Sequence, residues 1–153
     1  MSISDVWGLA NNIIRSSRII LNEQLKPLGL SSAEGNILLQ LIRVGDMVRQ
    51  EDLVEQLDVS KPAVSRALDS LEHKGFVTRE RDLSDKRACL VMLTPKAYAA
   101  APLLKDAYDQ IIKVAEMGLT ASDITAFIAV FEKVAANFTL FRSDATKGPN
   151  EGP

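Results

Sequence analysis

Apolar residues recur at helical spacing through both ends of this chain. The first predicted helix covers residues 5–28, where apolar positions repeat every seven residues from Ile14 to Leu28. A second helix follows, with Ser31 or Ser32 as its N-terminal cap. Its apolar positions lie on one face, as in a helix that is buried on one side. The pattern predicts a mainly helical protein.

The C-terminal third repeats this pattern. A long helix is predicted from Pro95 to about Met117, ended by Gly118, and Thr120 opens a last helix that holds four of the chain's five Phe residues. Its apolar face is too wide for one small domain to cover, so we expect packing within the chain and against a second copy. Residues 143–153 lack apolar periodicity and predict a disordered tail.

Two short helices joined by a tight turn lie in the middle of the chain. Residues 50–57 form the first, Asp58 and Val59 the turn, and Ser60 caps the second, with Pro62 in its first turn. The second helix buries Val64, Leu68 and Leu71, points Lys61, Ser65 and Arg66 outward, and ends at Gly75. Small, polar and cationic residues on the outward face suit a helix that reads a DNA major groove.

A charged β-hairpin follows this second helix. Residues 76–81 and 88–93 are rich in strand formers, and the polar tip between them, residues 82–87, carries adjacent cations at Lys86 and Arg87. Thr94 and Pro95 then open the next helix. A hairpin placed in this way forms a wing, whose tip can lay Arg87 against a minor groove or a phosphate.

The ordered set of these motifs resembles the MarR family of bacterial winged-helix regulators. The Asp-x-Arg tip followed by Leu-Thr is its most specific part. The resemblance implies a homodimer held by N- and C-terminal helices, binding DNA and in most members acting as a repressor. The motifs are Leu-Asp-Val-Ser-Lys-Pro-Ala-Val-Ser-Arg (57–66), Leu-Glu-His-Lys-Gly-Phe-Val (71–77), Arg79, Asp85-Lys86-Arg87 and Leu93-Thr94.

Together these patterns predict a mainly α fold with a small β-hairpin (α+β). A winged helix-turn-helix domain covers residues 31–96. Dimerisation helices flank it in residues 1–30 and 97–142, and residues 143–153 form the tail. The predicted DNA-binding residues are Ser60, Lys61, Pro62, Ala63, Ser65, Arg66, Lys74, Arg79, Arg81, Asp85, Lys86 and Arg87.

The net charge of −2 argues against DNA binding only until its distribution along the chain is considered. Residues 60–96 carry eight Lys and Arg against five Asp and Glu, a local charge of +3, and the rest of the chain carries ten against fifteen, or −5. Only the contacting face has to meet phosphates, so a basic segment on an acidic body is compatible with DNA binding.

The sequence gives little support for metal binding or for catalysis. One Cys and one His cannot supply a Cys/His zinc site within one chain, no nucleotide-binding or protease motif is present, and we expect neither an enzyme nor a cofactor. The N-terminus lacks a cationic signal region and no uninterrupted apolar run reaches ~18 residues, so we expect a cytoplasmic protein without a membrane partner.

Three further possibilities stay open. Cys89 could make the protein redox-responsive, although a small buried hydrophobic role is favoured because it shares a strand face with Val91 and Leu93. A winged-helix protein-interaction module is the alternative to DNA binding. The family resemblance also implies a small phenolic or carboxylate effector bound between the dimer helices and the winged domain, with candidate ligand residues Arg15, Arg18, Asn36 and Gln40.

Overall fold

The computed structural model describes residues 1–45, 47–57 and 59–146. The chain divides into two compact units, Met1–Ile112 and Lys113–Pro153, which are treated separately below. The described elements, in chain order, are α1 (Ile3–Leu25), a 3-10 turn (Lys26–Leu28), α2 (Ser32–Val44), β1 (Val48–Arg49), α3 (Gln50–Leu57), α4 (Lys61–His73), β2 (Val77–Arg81), β3 (Cys89–Leu93), α5 (Pro95–Glu116) and α6 (Ala121–Thr146).

Local sequence signals set the ends of the helices. Ser31 caps α2: its Oγ accepts from the backbone N of Glu34 at 3.2 Å, and Glu34 Oε1 accepts from the Ser31 N at 3.1 Å. This reciprocal pair of hydrogen bonds identifies Ser31, and not Ser32, as the N-terminal cap. Gly29, at φ +67°, makes the left-handed turn between the first two helices.

The predicted helix-turn-helix is confirmed over its described residues. Ser60 Oγ accepts from the backbone N of Ala63 at 3.3 Å, Pro62 lies in the first turn of α4, and Gly75 follows the helix at φ +82°. The predicted stripe of α4 is fully buried, with Val64, Leu68 and Leu71 at 0% exposure. Of the predicted turn, Asp58 lies outside the described residues.

The wing belongs to a three-stranded antiparallel sheet in the order β1-β3-β2. The predicted hairpin pairs Thr78 with Met92, and Val48 of β1 pairs with Val91 on the other side of β3. The sequence patterns missed β1 because two residues are too few to show alternation. Thr94 and Pro95 open α5 as predicted.

One hydrophobic core joins α1, α2, α3, α4, the sheet and α5 in the first unit. Helices α1 and α2 approach closely at Gly35, where a Cβ would lie 2.5 Å from Leu25 Cδ1. The core holds the helix-turn-helix and the wing on one scaffold. Its largest fully buried side chains are Phe76, Leu25, Leu38, Leu41, Leu53, Leu68, Leu71, Leu104, Val64, Val77 and Val91.

Both terminal helices expose apolar side chains. In α1 only Leu21 and Leu25 are buried, while large residues nearer the N-terminus are exposed, and none of the residues assigned a burial class in α6 is buried. A single chain therefore leaves large apolar surfaces open to water. The exposed residues are Ile3, Trp7, Leu9, Ile13, Ile14 and Ile19 of α1, and Phe127, Ile128, Val130, Phe131, Phe138, Leu140 and Phe141 of α6.

Helix α6 departs from two sequence expectations. It continues through Thr146, so the predicted tail does not begin at Ser143, and residues 147–153 lie outside the described residues. Among the described helices, Ala121–Ala145 is long and apolar enough, by length and composition alone, to cross a membrane. Uninterrupted apolar runs did not single it out because polar residues interrupt its sequence.

Candidate nucleic-acid interface

The outward face of α4 is polar and cationic. Lys61 and Arg66 are exposed, Ser65 is half-buried, and Ala63 turns partly toward the protein. This face offers no large apolar side chain of the kind that a protein-interaction surface would need. Its composition suits contact with base edges and phosphates.

Two aspartates organise the wing tip. Asp82 accepts from the backbone N of Ser84 at 3.0 Å and from its hydroxyl at 2.8 Å, and these bonds, with the Arg49 charge, lower the pKa of Asp82. Arg49 Nη2 lies 2.8 Å from Asp82 Oδ2 and ties the wing to β1. Asp85 Oδ1 accepts from the backbone N of Arg87 at 3.0 Å. The tip is thus a set of hydrogen-bonded turns that fixes the backbone at Arg87.

The start of α4 and the wing meet on one surface. Lys61 and Arg87 line the same open cavity of about 230 Å³, together with Gln50, Glu51, Val54 and Cys89. Lys61 and Arg87, which are 26 residues apart in sequence, therefore face the same region of solvent. Arg81, Asp85 and Lys86 are exposed on the same hairpin.

Arg79 is engaged within the protein. Its guanidinium lies 3.2 Å from Glu72 Oε1 and also bonds Asp69, and the Arg79 side chain is only 19% exposed. The two carboxylates, Glu72 foremost, raise the pKa of Arg79 despite partial burial. Sequence patterns placed Arg79 among the DNA contacts, but its geometry suits it to holding β2 against α4.

Lys74 is also engaged. Its Nζ lies 2.8 Å from Glu34 Oε2 and 2.7 Å from the carbonyl oxygen of Gly29, and its side chain is 33% exposed. The neighbouring Lys96 donates to the carbonyl oxygen of Lys74 at 2.6 Å. These contacts connect the C-terminal end of α4 to α2 and α5.

A larger cavity of about 550 Å³ lies among α1, α2, α4 and α5. Three of the four predicted ligand residues, Arg18, Asn36 and Gln40, line it, and Arg15 is exposed elsewhere on α1. Sequence patterns missed Arg43 and Tyr108, which also line it and come from helix faces with no distinctive local motif.

Tyr108 adds a neutral phenol to this cavity. Its hydroxyl donates to Asn36 Oδ1. Burial raises the pKa of Tyr108, and the positive charge of Arg43 opposes that rise only in part. The cavity thus combines apolar walls with two guanidinium groups and a phenol.

Cys89 differs from the expected buried hydrophobe. It is half-buried and faces the smaller cavity beside Arg87, whereas Val91, two residues along β3, is fully buried. Cys89 is the first residue of β3 and lies at the edge of the hydrophobic core, so the alternation of side chains along the strand did not predict its partial exposure. Among the described residues, no group of three or more His, Cys, Asp and Glu is placed to hold a metal ion.

Comparison with known proteins gives consistent results. A sequence model of the MarR family matches residues 28–88. An uncharacterised HTH-type transcriptional regulator of Bacillus subtilis (strain 168) is 40% identical over 92 residues, which cover 58% of this chain and 66% of that protein, just under two thirds of its length.

Solved structures extend the similarity beyond the central segment. A MarR-family transcriptional regulator from Silicibacter pomeroyi is 31% identical, with a TM-score of 0.69 over 84% of this chain and 86% of that one. A mutant MarR from E. coli, complexed with operator DNA, is 27% identical, with a TM-score of 0.72 over 85% and 93% of the two chains.

Proposed function

Since this chain belongs to the MarR family of transcriptional regulators, whose members are not enzymes, we propose that it represses transcription by binding a palindromic operator as a homodimer. The observation that carries the proposal is the shared surface of Lys61 on α4 and Arg87 on the wing. On this surface a recognition helix can enter the major groove while the wing reaches the adjacent backbone or minor groove. Such a regulator acts on the chromosome, so we place it in the cytoplasm.

The exposure of apolar side chains indicates which segments of the chain bind DNA and which form the dimer. We assign DNA binding to residues 31–96, which include the helix-turn-helix and the wing. We assign dimerisation to residues 1–30 and 97–142, because the exposed apolar residues of α1 and α6 need a partner surface. Two copies related by a two-fold axis present two recognition helices, as a palindromic site requires.

Footprinting of the folded protein on the DNA upstream of its own gene tests the function. We expect protection of a palindromic site at low salt, with weaker protection of unrelated DNA. Binding should fall steeply with added salt as counterions are released. A folded dimer that protects no such site would refute the proposal.

We assign the contacts with DNA to the exposed residues of this surface. Lys61, Ser65 and Arg66 contribute from α4, and Arg87 contributes from the wing tip. Arg81 and Lys86 add positive charge for phosphates. The other predicted residues act indirectly: Ser60, Pro62 and Ala63 form the start of α4, Asp85 shapes the tip, and Lys74 and Arg79 hold elements in place.

Two substitutions at the wing tip test how Arg87 is aimed. Arg87→Ala should weaken operator binding and flatten the salt dependence by about one phosphate equivalent. Asp85→Ala should also weaken binding although it removes a negative charge near DNA, because Arg87 loses the hydrogen bond at its backbone N. Fluorescence anisotropy over a salt series measures both effects.

Glu80→Ala provides the matched control for Asp85→Ala. Glu80 is an exposed acid on β2, so its removal tests the effect of charge alone, and we expect binding that is unchanged or slightly tighter. If Asp85→Ala also tightened binding in the folded protein, Asp85 would not orient the wing.

We further propose that a small phenolic or carboxylate compound binds the 550 Å³ cavity and weakens operator binding. The cavity has the size of a small-molecule site. Arg18 and Arg43 can pair with a carboxylate. The hydroxyl of Tyr108, whose proton is donated to Asn36, can still accept a hydrogen bond from a phenolic O–H. The cavity reaches Ala63 and Ala67, so an occupant would lie against the recognition helix itself.

Benzoate serves as the probe of this cavity. It should lower the operator affinity of the wild type, and Arg18→Ala should need severalfold more benzoate for the same loss, measured by anisotropy titration. Arg15→Ala is the matched control, because Arg15 lies off the cavity, and it should respond like the wild type. Equal responses of all three proteins would place any carboxylate site elsewhere.

A further inference from the structure

A buried carboxylate joins α2 to the last turns of the recognition helix. Glu34 is one of the few buried polar residues of the described chain, with a side chain only 9% exposed. Its Oε2 accepts from the hydroxyl of Ser70 at 3.0 Å and from Lys74 Nζ at 2.8 Å, and its Oε1 accepts from the Ser31 N and from Lys74. Both oxygens are therefore satisfied by α2 and α4.

Lys74 has no ammonium proton to spare. The Nζ has three N–H donors, and it lies within hydrogen-bond distance of three oxygens: Glu34 Oε1 at 3.0 Å, Glu34 Oε2 at 2.8 Å and the Gly29 carbonyl at 2.7 Å. A phosphate contact would have to break one of these bonds. Lys74 thus belongs to the protein's interior connections and not to its DNA-facing charges.

The carboxylate is held in its charged form. Burial acts to raise the pKa of Glu34, but the bonds from Lys74, Ser31 and Ser70 outweigh burial and leave the pKa below its ordinary value. Loss of Lys74 would leave the buried Glu34 carboxylate without its charged partner, which is costly. The contact is therefore a rigid connection at neutral pH.

We propose that Glu34 is a positioning residue for DNA recognition: with Ser70 and Lys74 it fixes the orientation of α4 on α2, and so the angle at which Arg66 meets the groove. The inference rests on the proposed DNA-binding function. The packing contacts of α4 are apolar: they come from the core residues Val64, Leu68 and Leu71 and from the small cavity-lining residues Ala63 and Ala67, and apolar contacts are non-directional. Glu34 supplies the directional contact that those residues lack.

A double-mutant cycle of Glu34→Gln and Lys74→Met tests the proposal, using the full chain, its operator and random DNA of equal length. Each single variant should lose operator affinity by about tenfold, comparable to one good base contact, with little change on random DNA. The double variant should lose no more than the worse single variant, because both remove the same connection. The salt slope should stay at its wild-type value.

The pair Lys26 and Glu23 provides the matched control. These residues also form a salt bridge, at 2.7 Å, but both side chains are largely exposed. Both residues follow the exposed apolar residues of α1, which end at Ile19, and so lie outside the proposed dimer surface. Glu23→Gln and Lys26→Met should leave both affinities unchanged, which excludes a general effect of changed charge.

The outcomes separate the roles. Equal losses on operator and random DNA, with a salt slope flattened by about one for Lys74→Met, would make Lys74 a phosphate contact and overturn the inference. Should Glu34→Gln not fold, Ser70→Ala removes one bond to Oε2 and keeps the ion pair, and it should lower the operator-to-random ratio in a folded protein. An unchanged ratio there would also overturn the inference. A wild type that protects no operator would instead refute the proposed function.

Discussion

Replacing Phe131 with Asp is expected to convert the protein to a monomer and to reduce operator affinity by about a hundredfold or more, since two linked half-sites bind far more tightly than one. Phe131 stacks on Phe127 with ring centroids 4.4 Å apart, and both rings are about half exposed on α6. A charge at this position would have to be buried in the proposed interface of two copies. Light scattering after gel filtration and footprinting measure the two consequences.

Ser122→Asp is the control for this variant. It adds the same charge to the exposed first turn of α6, where a negative charge suits the helix N-terminus, and it should leave the dimer intact. A Phe131→Asp protein that stayed dimeric and bound its operator would remove α6 from the interface. A wild type that sedimented with membranes, while Phe131→Asp did not, would indicate that α6 meets lipid.

Arg66→Ala is expected to weaken operator binding by about 1–3 kcal/mol and to relax preference at one base pair in each half-site. Arg66 is exposed on α4, opposite the buried Val64 and Leu68, so its truncation should leave the core unchanged. Competition of operator variants for the wild type and for Arg66→Ala measures both effects. Equal losses on operator and random DNA would identify Arg66 as a phosphate contact instead.

Lys26→Ala serves as a cation-removal control for Arg66→Ala. Lys26 lies in the turn after α1 and pairs only with the exposed Glu23 among the described contacts. Its removal lowers the net charge equally, and we expect operator and random DNA to bind as they do to the wild type. A matching loss for Lys26→Ala would show that total charge, and not the position of Arg66, decides affinity.

The helix-turn-helix and the wing could be predicted because their signals lie within short stretches of the sequence. The recognition helix begins at Ser60 and Pro62 and ends before Gly75, and contacts within a few residues set both ends. The wing tip is held by the hydrogen bond from the backbone N of Arg87 to Asp85, two residues away. The family motifs lie in the same short segments. Local interactions depend little on the rest of the fold, so patterns in the sequence were sufficient for these elements.

The assignment of individual charges needed the tertiary structure. In sequence, Lys74 and Arg79 look like further cations of a basic segment. Lys74 meets Glu34 from 40 residues away, and Arg79 bonds Asp69 and Glu72 across the gap between β2 and α4. Which acid a cation meets depends on how helices and strands pack, and no local periodicity encodes that packing.

The winged-helix architecture, the positions of the recognition helix and wing, and the excess of apolar surface at the termini could all be predicted from the sequence. Which residues share a surface depends instead on how distant segments pack together. Lys61 and Arg87 meet at one cavity, Arg43 and Tyr108 join Arg18 at another, and β1 completes the sheet. Helix periodicity and capping act over a few residues and can be read along the chain, whereas these groupings arise only when distant segments fold onto one core.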